Sequence, residues 1–214
     1  AHKGKPNVLN KIQDAIDSAI IIDKIRKTRD PEKHELIRTE MNRLAKILKE
    51  IPAPPPSELP PSVVEYGQVR GADGDATSMT AWILSKKNIV GSPPRASTKL
   101  WKKVKKKKFK KSGATRFVRG HLLNEWFGGP GDPYNLTPIT RTANKKHVSD
   151  VENPIWDGLN EGKVYYYKVK VVYKEGSNEE VAEKLICVWQ ELEYKSKKWE
   201  RKKGTRKKVV IDNA

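Results

Sequence analysis

Residues 117–124 read Phe-Val-Arg-Gly-His-Leu-Leu-Asn, and behind them stand Asn135, Asn144 and Glu152, the last three at intervals of nine and eight residues. Phe117-Val118 predicts a short strand, on which Arg119 and His121, two residues apart, project from one face. Asp132-Pro133-Tyr134-Asn135 reads as loop, and Thr142 to Asp150 as a helix. Glu152 follows Asn144 by about two helical turns, so the spacing predicts that both face one side of that helix.

These residue types, in this order, fit the hydrolysis of a phosphodiester. Such a reaction needs a base to take a proton from water, positive charge against the pentacovalent phosphorane, and help for the leaving oxygen. His121 suits the base, because imidazole titrates near neutral pH. Asn144 suits a Mg²⁺ ligand: a carbonyl oxygen is a hard donor, and Mg²⁺ keeps most of its waters. Arg119 can grip a phosphate oxygen, and Glu152 can hold a metal-bound water or support the ion from behind. Each has a plainer reading when taken singly, since histidines are often surface residues and asparagines often cap turns. Around them several alternatives stand open. Asn124 serves a structural hydrogen bond or the chemistry; His147 is a surface residue or, more sharply, a metal ligand. Arg141 touches phosphate or is solvated. Trp126 and Phe127 stack a base or pack beneath the loop.

Working outward, Lys163 to Tyr173 alternates, with Val164, Tyr166, Lys168 and Lys170 on one face and Tyr165, Tyr167, Val169, Val171 and Tyr173 on the other. Lys184 to Glu193 alternates too, and Glu175-Gly176-Ser177-Asn178 is turn chemistry, which together predict a long antiparallel hairpin. Thr80 to Leu84 reads as a further strand. Trp101 to Lys111 holds eight lysines in eleven residues and no acid; self-repulsion predicts a mobile loop or exposed hairpin. The tail from Lys195 to Lys208 is again basic. Residues 8–50 read as two helices. Val8, Ile12, Ile16, Ala19 and Ile20 form the stripe of the first, and Ile37, Met41, Leu44 and Leu48 that of the second. Asp30 suits a cap and Pro31 the first helical position of the second. Residues 51–61, rich in proline, form a stiff linker. The expected organisation is a helical hairpin over 1–50, that linker, and one domain over 62–214.

The chain has 214 residues, a net charge of +18, 33% charged and 36% hydrophobic residues. A field of that size draws polyanions at low salt, nucleic acid first and anionic membrane second. The lysines at 102–111 and 197–208 suit phosphate contacts, which carry no base information; a nuclear-localisation role is the alternative. The lone Cys187 sits in an alternating apolar run and reads as a buried, inert thiol. No apolar run approaches the ~20 residues of a membrane span, and no signal peptide is visible. The start, Ala1-His2-Lys3-Gly4-Lys5, suggests a fragment of a longer protein, or a complete chain that has lost its methionine.

Residues 117–152 resemble the DNA/RNA non-specific endonucleases of the ββα-metal superfamily. That family carries an Arg-Gly-His block, an Asn-(Leu/Ile)-Thr-Pro block, an asparagine nine residues on and a glutamate eight beyond. Gly-His-Leu-Leu-Asn (120–124) and Gly-Gly-Pro-Gly (128–131) look most like its toxin-like members. The resemblance implies an α+β fold, with a ββα-metal core on a mixed, largely antiparallel sheet preceded by the helical hairpin. It implies a Mg²⁺-dependent endonuclease acting on DNA or RNA, with Mn²⁺ as a substitute ion. His121 would be the general base, Asn144 the sole direct metal ligand, Glu152 a support for metal or water, Asn135 an orienting residue and Arg119 a phosphate contact. Lys102, Lys103, Lys105, Lys106, Lys107, Lys108 and Arg141 are the candidate nucleic-acid contacts. One departure is Val118, where the well-known form of the block has aspartate. The toxin-like block implies a secreted or delivered effector and, in a bacterium, an acidic immunity protein as partner. The rival expectation is a non-enzymatic, lysine-rich nucleic-acid-binding module.

Overall fold

The computed structural model describes residues 8–28, 30, 32–51, 58–70, 74–87, 89–95, 99–106, 116–173 and 181–213. Pro31, residues 52–57 of the linker, Lys107, Lys108 and the turn at 175–178 lie outside the described residues, as does the side chain of Lys103.

Two helices come first, α1 (Val8–Lys27) and α2 (Lys33–Glu50), packed on each other as a hairpin. Asp30 acts at the start of α2, its Oδ1 accepting from Glu32 N at 2.7 Å. The predicted stripe of α2 holds: Ile37 and Ala45 are buried, with Met41 and Leu44 packed against the core. The stripe predicted for α1 does not. Ile16 and Ile20 are each 47% exposed, and Val8 and Ile12 are exposed as well. The buried side of α1 is carried instead by Ser18 and Ile22. Ser18 faces α2, where its Oγ accepts from Arg43 Nη1 at 3.2 Å. Periodicity found the helix but named the wrong side of it.

The sheet is antiparallel throughout its ladders, in the order β1 (Val63–Tyr66), β4 (Ser78–Leu84), β7 (Val164–Val172), β8 (Lys184–Lys195) and β10 (Lys207–Asp212), with β9 (Lys198–Arg201) paired to β8. The parallel pairing among the described residues is an isolated bridge, Pro61 to Lys87. A small ladder joins β2 (Val69–Arg70) and β3 (Asp75–Ala76). The hairpin of β7 and β8 has the register Tyr167 to Trp189 and Val169 to Cys187. Tyr167, Val169, Val171, Leu185 and Cys187 therefore point inward and are buried, each large side chain contributing about 1.5–3 kcal/mol relative to exposure. Burial pushes the Cys187 thiol up to about 12, as befits an inert core residue. The other face is buried at one end, where Val164, Tyr166 and Leu192 cluster with Trp199. Toward the other end of β7, Lys168 and Lys170 are open to solvent.

Ile22 and Ile37 of the hairpin belong to the same core cluster as Tyr66, Tyr134 and Tyr167. The Asn42 amide grips the backbone of Tyr66 from both sides, Nδ2 donating to its carbonyl and Oδ1 accepting from its N–H, each at 2.8 Å. The hairpin is thus seated on the sheet edge and on the turn at 133–135, where Tyr134 Oη meets Met41 Sδ at 3.4 Å.

The predicted lysine-rich loop begins as a helix, α3 (Lys99–Val104). Trp101 and Val104 fall on one side at helical spacing. Val104 is buried, which anchors the turn and leaves Lys102, Lys105 and Lys106 exposed.

Candidate active site

Strands β5 (Phe117–His121) and β6 (Leu136–Thr140) pair antiparallel, with His121 opposite Leu136, Gly120 opposite Thr137 and Arg119 opposite Pro138. β6 leads directly into α4 (Arg141–His147), a single π-helical turn over Val148–Glu152, and α5 (Asn153–Asn160). Thr140 caps α4, its Oγ1 accepting from Ala143 N at 3.1 Å. This strand–strand–helix unit carries every candidate except the lysines.

His121 is held by Ser92, whose carbonyl oxygen lies 3.1 Å from Nε2. A carbonyl only accepts, so Nε2 carries the proton and Nδ1 is left as the basic nitrogen. Burial pulls the imidazole below its ordinary pKa, the Ser92 carbonyl and Glu125 oppose that, and Arg119 adds to it. The ring is neutral and able to accept a proton at neutral pH. Ser92 was not legible as a site residue in the sequence, because its side chain is not what touches His121. Its position comes from the Gly-Gly-Pro-Gly block. Ser92 N donates to Gly129 O at 3.1 Å, Arg95 N to Gly131 O at 3.0 Å, and Gly131 N to Ser92 Oγ at 2.8 Å. A Cβ on Gly129 would lie 1.6 Å from the Leu123 carbonyl oxygen, and one on Gly131 1.9 Å from that of Pro93. Gly131 thus allows segment 91–95 to lie this close, and Gly129 allows its own loop to lie against Leu123.

Asn135 is fully buried. Its Oδ1 accepts from Leu123 N at 2.8 Å, and its Nδ2 donates to the carbonyls of Leu123 and Pro130, each at 2.9 Å. With its amide saturated by backbone, it cannot touch substrate; it fixes the loop that follows His121.

Asn144 is partly exposed and, among the described residues, its side chain has no hydrogen-bond partner. Gly120 makes room for it: a Cβ there would stand 3.4 Å from Asn144 Oδ1 and overlap Ile139. An unengaged amide oxygen beside the residue preceding His121 is a hard donor of the kind Mg²⁺-type ions take. Among the described residues no three His, Cys, Asp or Glu side chains form a metal cluster. An ion held here would take the Asn144 side-chain oxygen as a neutral ligand.

Glu152 reaches its place through the π turn. In an unbroken α-helix eight residues wind to about 80° away from Asn144; the extra residue in one turn winds back by about 100° and nearly restores alignment. Its carboxyl is buried, accepts from Asn124 Nδ2 at 2.8 Å, and lies 3.4 Å from His147 Nδ1. Burial pushes Glu152 up to about 7, against the Asn124 bond, which lowers it. His147 is not a surface residue: it is buried, contacts Tyr167 Oη at 2.8 Å through Nε2, and is pushed down to about 4 by desolvation. Its nitrogens are engaged within the core. Asn124 also caps the turn at 125–127, accepting from Trp126 N at 3.0 Å, so its role is structural as well as tied to Glu152.

Arg119 lies over Trp101 at 5.5 Å, bringing α3 beside the site. Arg141 is exposed at the start of α4. Phe127 is buried against Trp156 and Tyr167, whereas Trp126 is half exposed. Val118 packs against the core, so the position that is aspartate in the better-known block here serves packing.

The sequence profile of the DNA/RNA non-specific endonuclease family matches residues 76–197, a span that includes the whole strand–strand–helix unit. No curated protein matches the chain significantly in sequence. Among solved structures the fold is similar to that of NucA from Streptococcus agalactiae with magnesium ion bound, at a TM-score of 0.53 and 13% identity over 72% of this chain and 73% of that one. It is also similar to the Sda1 nuclease with bound zinc ion, at 0.50 and 19% over 71% and 74%. With the profile covering more than half of its length, the chain belongs to the DNA/RNA non-specific endonuclease family and is a nuclease.

Proposed function

We propose that the protein is a divalent-metal-dependent endonuclease that hydrolyses DNA or RNA without sequence preference, leaving a 5′-phosphate and a 3′-hydroxyl. The observation that carries this reading is the tautomer of His121. With Nε2–H committed to Ser92 O, Nδ1 is free to take a proton from the attacking water. Desolvation keeps it neutral at the working pH. Arg119, on the same face of β5, would hold a phosphate oxygen by charge-assisted hydrogen bonds. Asn144 would hold the ion, and a divalent cation there supplies positive charge against the phosphorane. Glu152 and Asn135 act behind these groups, Glu152 through Asn124 and the helix, Asn135 through the 123–130 loop. The magnesium and zinc ions named for NucA and Sda1 support a divalent ion, and Mg²⁺, with Mn²⁺ as substitute, suits a single oxygen ligand. Lys102, Lys105, Lys106 and Arg141, all exposed, would contact the backbone of the substrate.

The toxin-like blocks at 120–124 and 128–131 support a further reading as the killing domain of a delivered effector, kept in check by an acidic immunity protein. Failure to capture a complex with such a protein at low salt counts against that partner. The central test is nicking of supercoiled plasmid with Mg²⁺, with EDTA, and by the His121→Ala variant. Cleavage only by the parent with metal is expected. Unchanged cleavage by the variant would overturn the base assignment, and no cleavage by the parent would overturn the reading as a whole.

A further inference from the structure

The large sheet divides the molecule. Its inner face carries Tyr167, Val169 and Val171 against the helices that hold Asn144 and Glu152. The outer face carries the alternate residues of β7, and there Lys168 and Lys170 are exposed. Lys168 is opposite Val188, and Val188 is opposite the exposed Lys208. Lys168 and Lys170 are thus about 7 Å apart along one strand, with Lys208 about 10 Å away across two. The Arg201 guanidinium adds a fourth cation, 4.0 Å above the Tyr166 ring on the same face.

Among the described residues, acids on this face are few and peripheral, and Glu50 at the groove is paired with Lys11 at 2.7 Å. Glu65 is already engaged by Lys49 at 2.5 Å and by Trp82 Nε1 at 2.8 Å. Asp212 lies at the far edge, opposite Lys184. The lysines in the middle have no acid opposite them in the registers. Beyond Tyr166 the face runs into a groove of ≈ 820 Å³ walled by Trp82 and Trp199 and rimmed by Lys197 and Lys198. Trp82 is 37% exposed there. An apolar aromatic surface that continues a row of cations would be unstable as a self-association face, since a second copy would bring like charges together.

We propose that this outer face is a second nucleic-acid site, remote from His121, that takes an unpaired strand of DNA or RNA. Lys168, Lys170, Lys208 and Arg201 contact successive phosphates, and a base enters the groove between Trp82 and Trp199. Only an unpaired base can enter such a groove; stacking and a cationic track are the two elements that hold single strands without sequence preference. A strand held here raises the local concentration of its distant phosphodiesters at the catalytic side. The proposal rests on the reading of the protein as a nuclease acting on nucleic acid.

The test compares the Lys168→Ala/Lys170→Ala variant with the parent, both also carrying His121→Ala and both in EDTA, so that nothing is cut. Binding of a long fluorescent unpaired strand is measured against salt. Loss of two phosphate contacts should flatten the log–log salt slope by about 1.4 and weaken binding about tenfold near physiological salt. In the catalytically intact background with Mg²⁺, the ratio of kcat/KM on a long strand to that on a short oligonucleotide should fall several-fold. Unchanged salt slope and unchanged ratio would overturn the proposal. An equal loss on fully paired duplex would overturn the assignment to unpaired strands. Because the binding measurement needs no cleavage, it stands if the parent proves inactive, and the failure of the nuclease reading is then read separately. Matching thermal unfolding of variant and parent excludes a folding defect.

Discussion

Replacing Glu152 by glutamine should change how stability depends on pH more than it changes stability itself. Burial pushes the Glu152 carboxyl up from 4.5 to about 7 and the His147 imidazole down from 6.5 to about 4. Their 3.4 Å contact has the geometry of an ion pair, but burial opposes both charges, so we place one proton on the carboxyl and leave the ring neutral. In the unfolded chain, between pH 4.5 and 6.5, the proton sits on the imidazole and the carboxyl is ionised. Each state of the pair holds one proton over that window, so together they give no slope. The separate contributions are large and opposite. A raised carboxyl gives stability that is present below 4.5 and lost as pH rises toward 7. A lowered imidazole gives stability that is lost on acidification from 6.5 to 4. Each is worth about 3 kcal/mol. Glu152→Gln keeps the bond to Asn124 and removes only the falling contribution. Urea unfolding in EDTA, from pH 4 to 8, should therefore show the variant gaining about 3 kcal/mol on the parent between pH 4.5 and 7. His147→Asn should show the reverse, losing about 3 kcal/mol on the parent as pH rises from 4 to 6.5. A variant-minus-parent difference for Glu152→Gln that stays flat to within about 1 kcal/mol would refute the reasoning.

Asn135→Ala deletes three hydrogen bonds to buried backbone and should cost about 3 kcal/mol in denaturant unfolding; a loss under about 1 kcal/mol would mean that water takes its place. Gly129→Ala drives a methyl into the Leu123 carbonyl. By shifting Ser92 away from His121 it should lower kcat about a hundredfold with KM little changed, and a wild-type kcat would disconnect the glycine block from the base. Because desolvation holds His121 below its ordinary 6.5, the acid limb of the kcat/KM profile should fall below pH 6.5, with the active, neutral form present above it. A limb above that value would show a base stabilised in its charged form.

Much of the candidate site was legible because its residues are named by chemistry and spacing: His121, Asn144 and Glu152 lie on the strand–strand–helix unit. What escaped was whatever acts through backbone. Ser92 contributes only a carbonyl, and no side chain announces it. β6 escaped because Leu136 to Thr140 is buried on both faces and interrupted by Pro138, so it has no alternation to detect. β9 and β10 were concealed by their lysines, which point to solvent while Ile211 on the same strand is buried. α1 was misoriented because the strongest apolar stripe was taken as the inner one. His147 was read as a surface residue or a metal ligand, whereas its ring is buried against Tyr167 and Glu152, long-range partners that no local pattern announces.

That π turn also makes the site sensitive to length. Exchanging one residue for another between Val148 and Val151 leaves the number of steps from Asn144 to Glu152 intact, whereas deleting one lets the segment relax into an ordinary α-helix. The Glu152 carboxyl would then keep about the same azimuth, and so would α5 behind it, whereas inserting one residue more would rotate both by about 100° around the helix axis. The chain has to break that rotation at a cost or give up the seating of α5 on β7. Reading frame along this helix is therefore part of how the candidate site is positioned, and an insertion here should be tolerated far less well than a substitution.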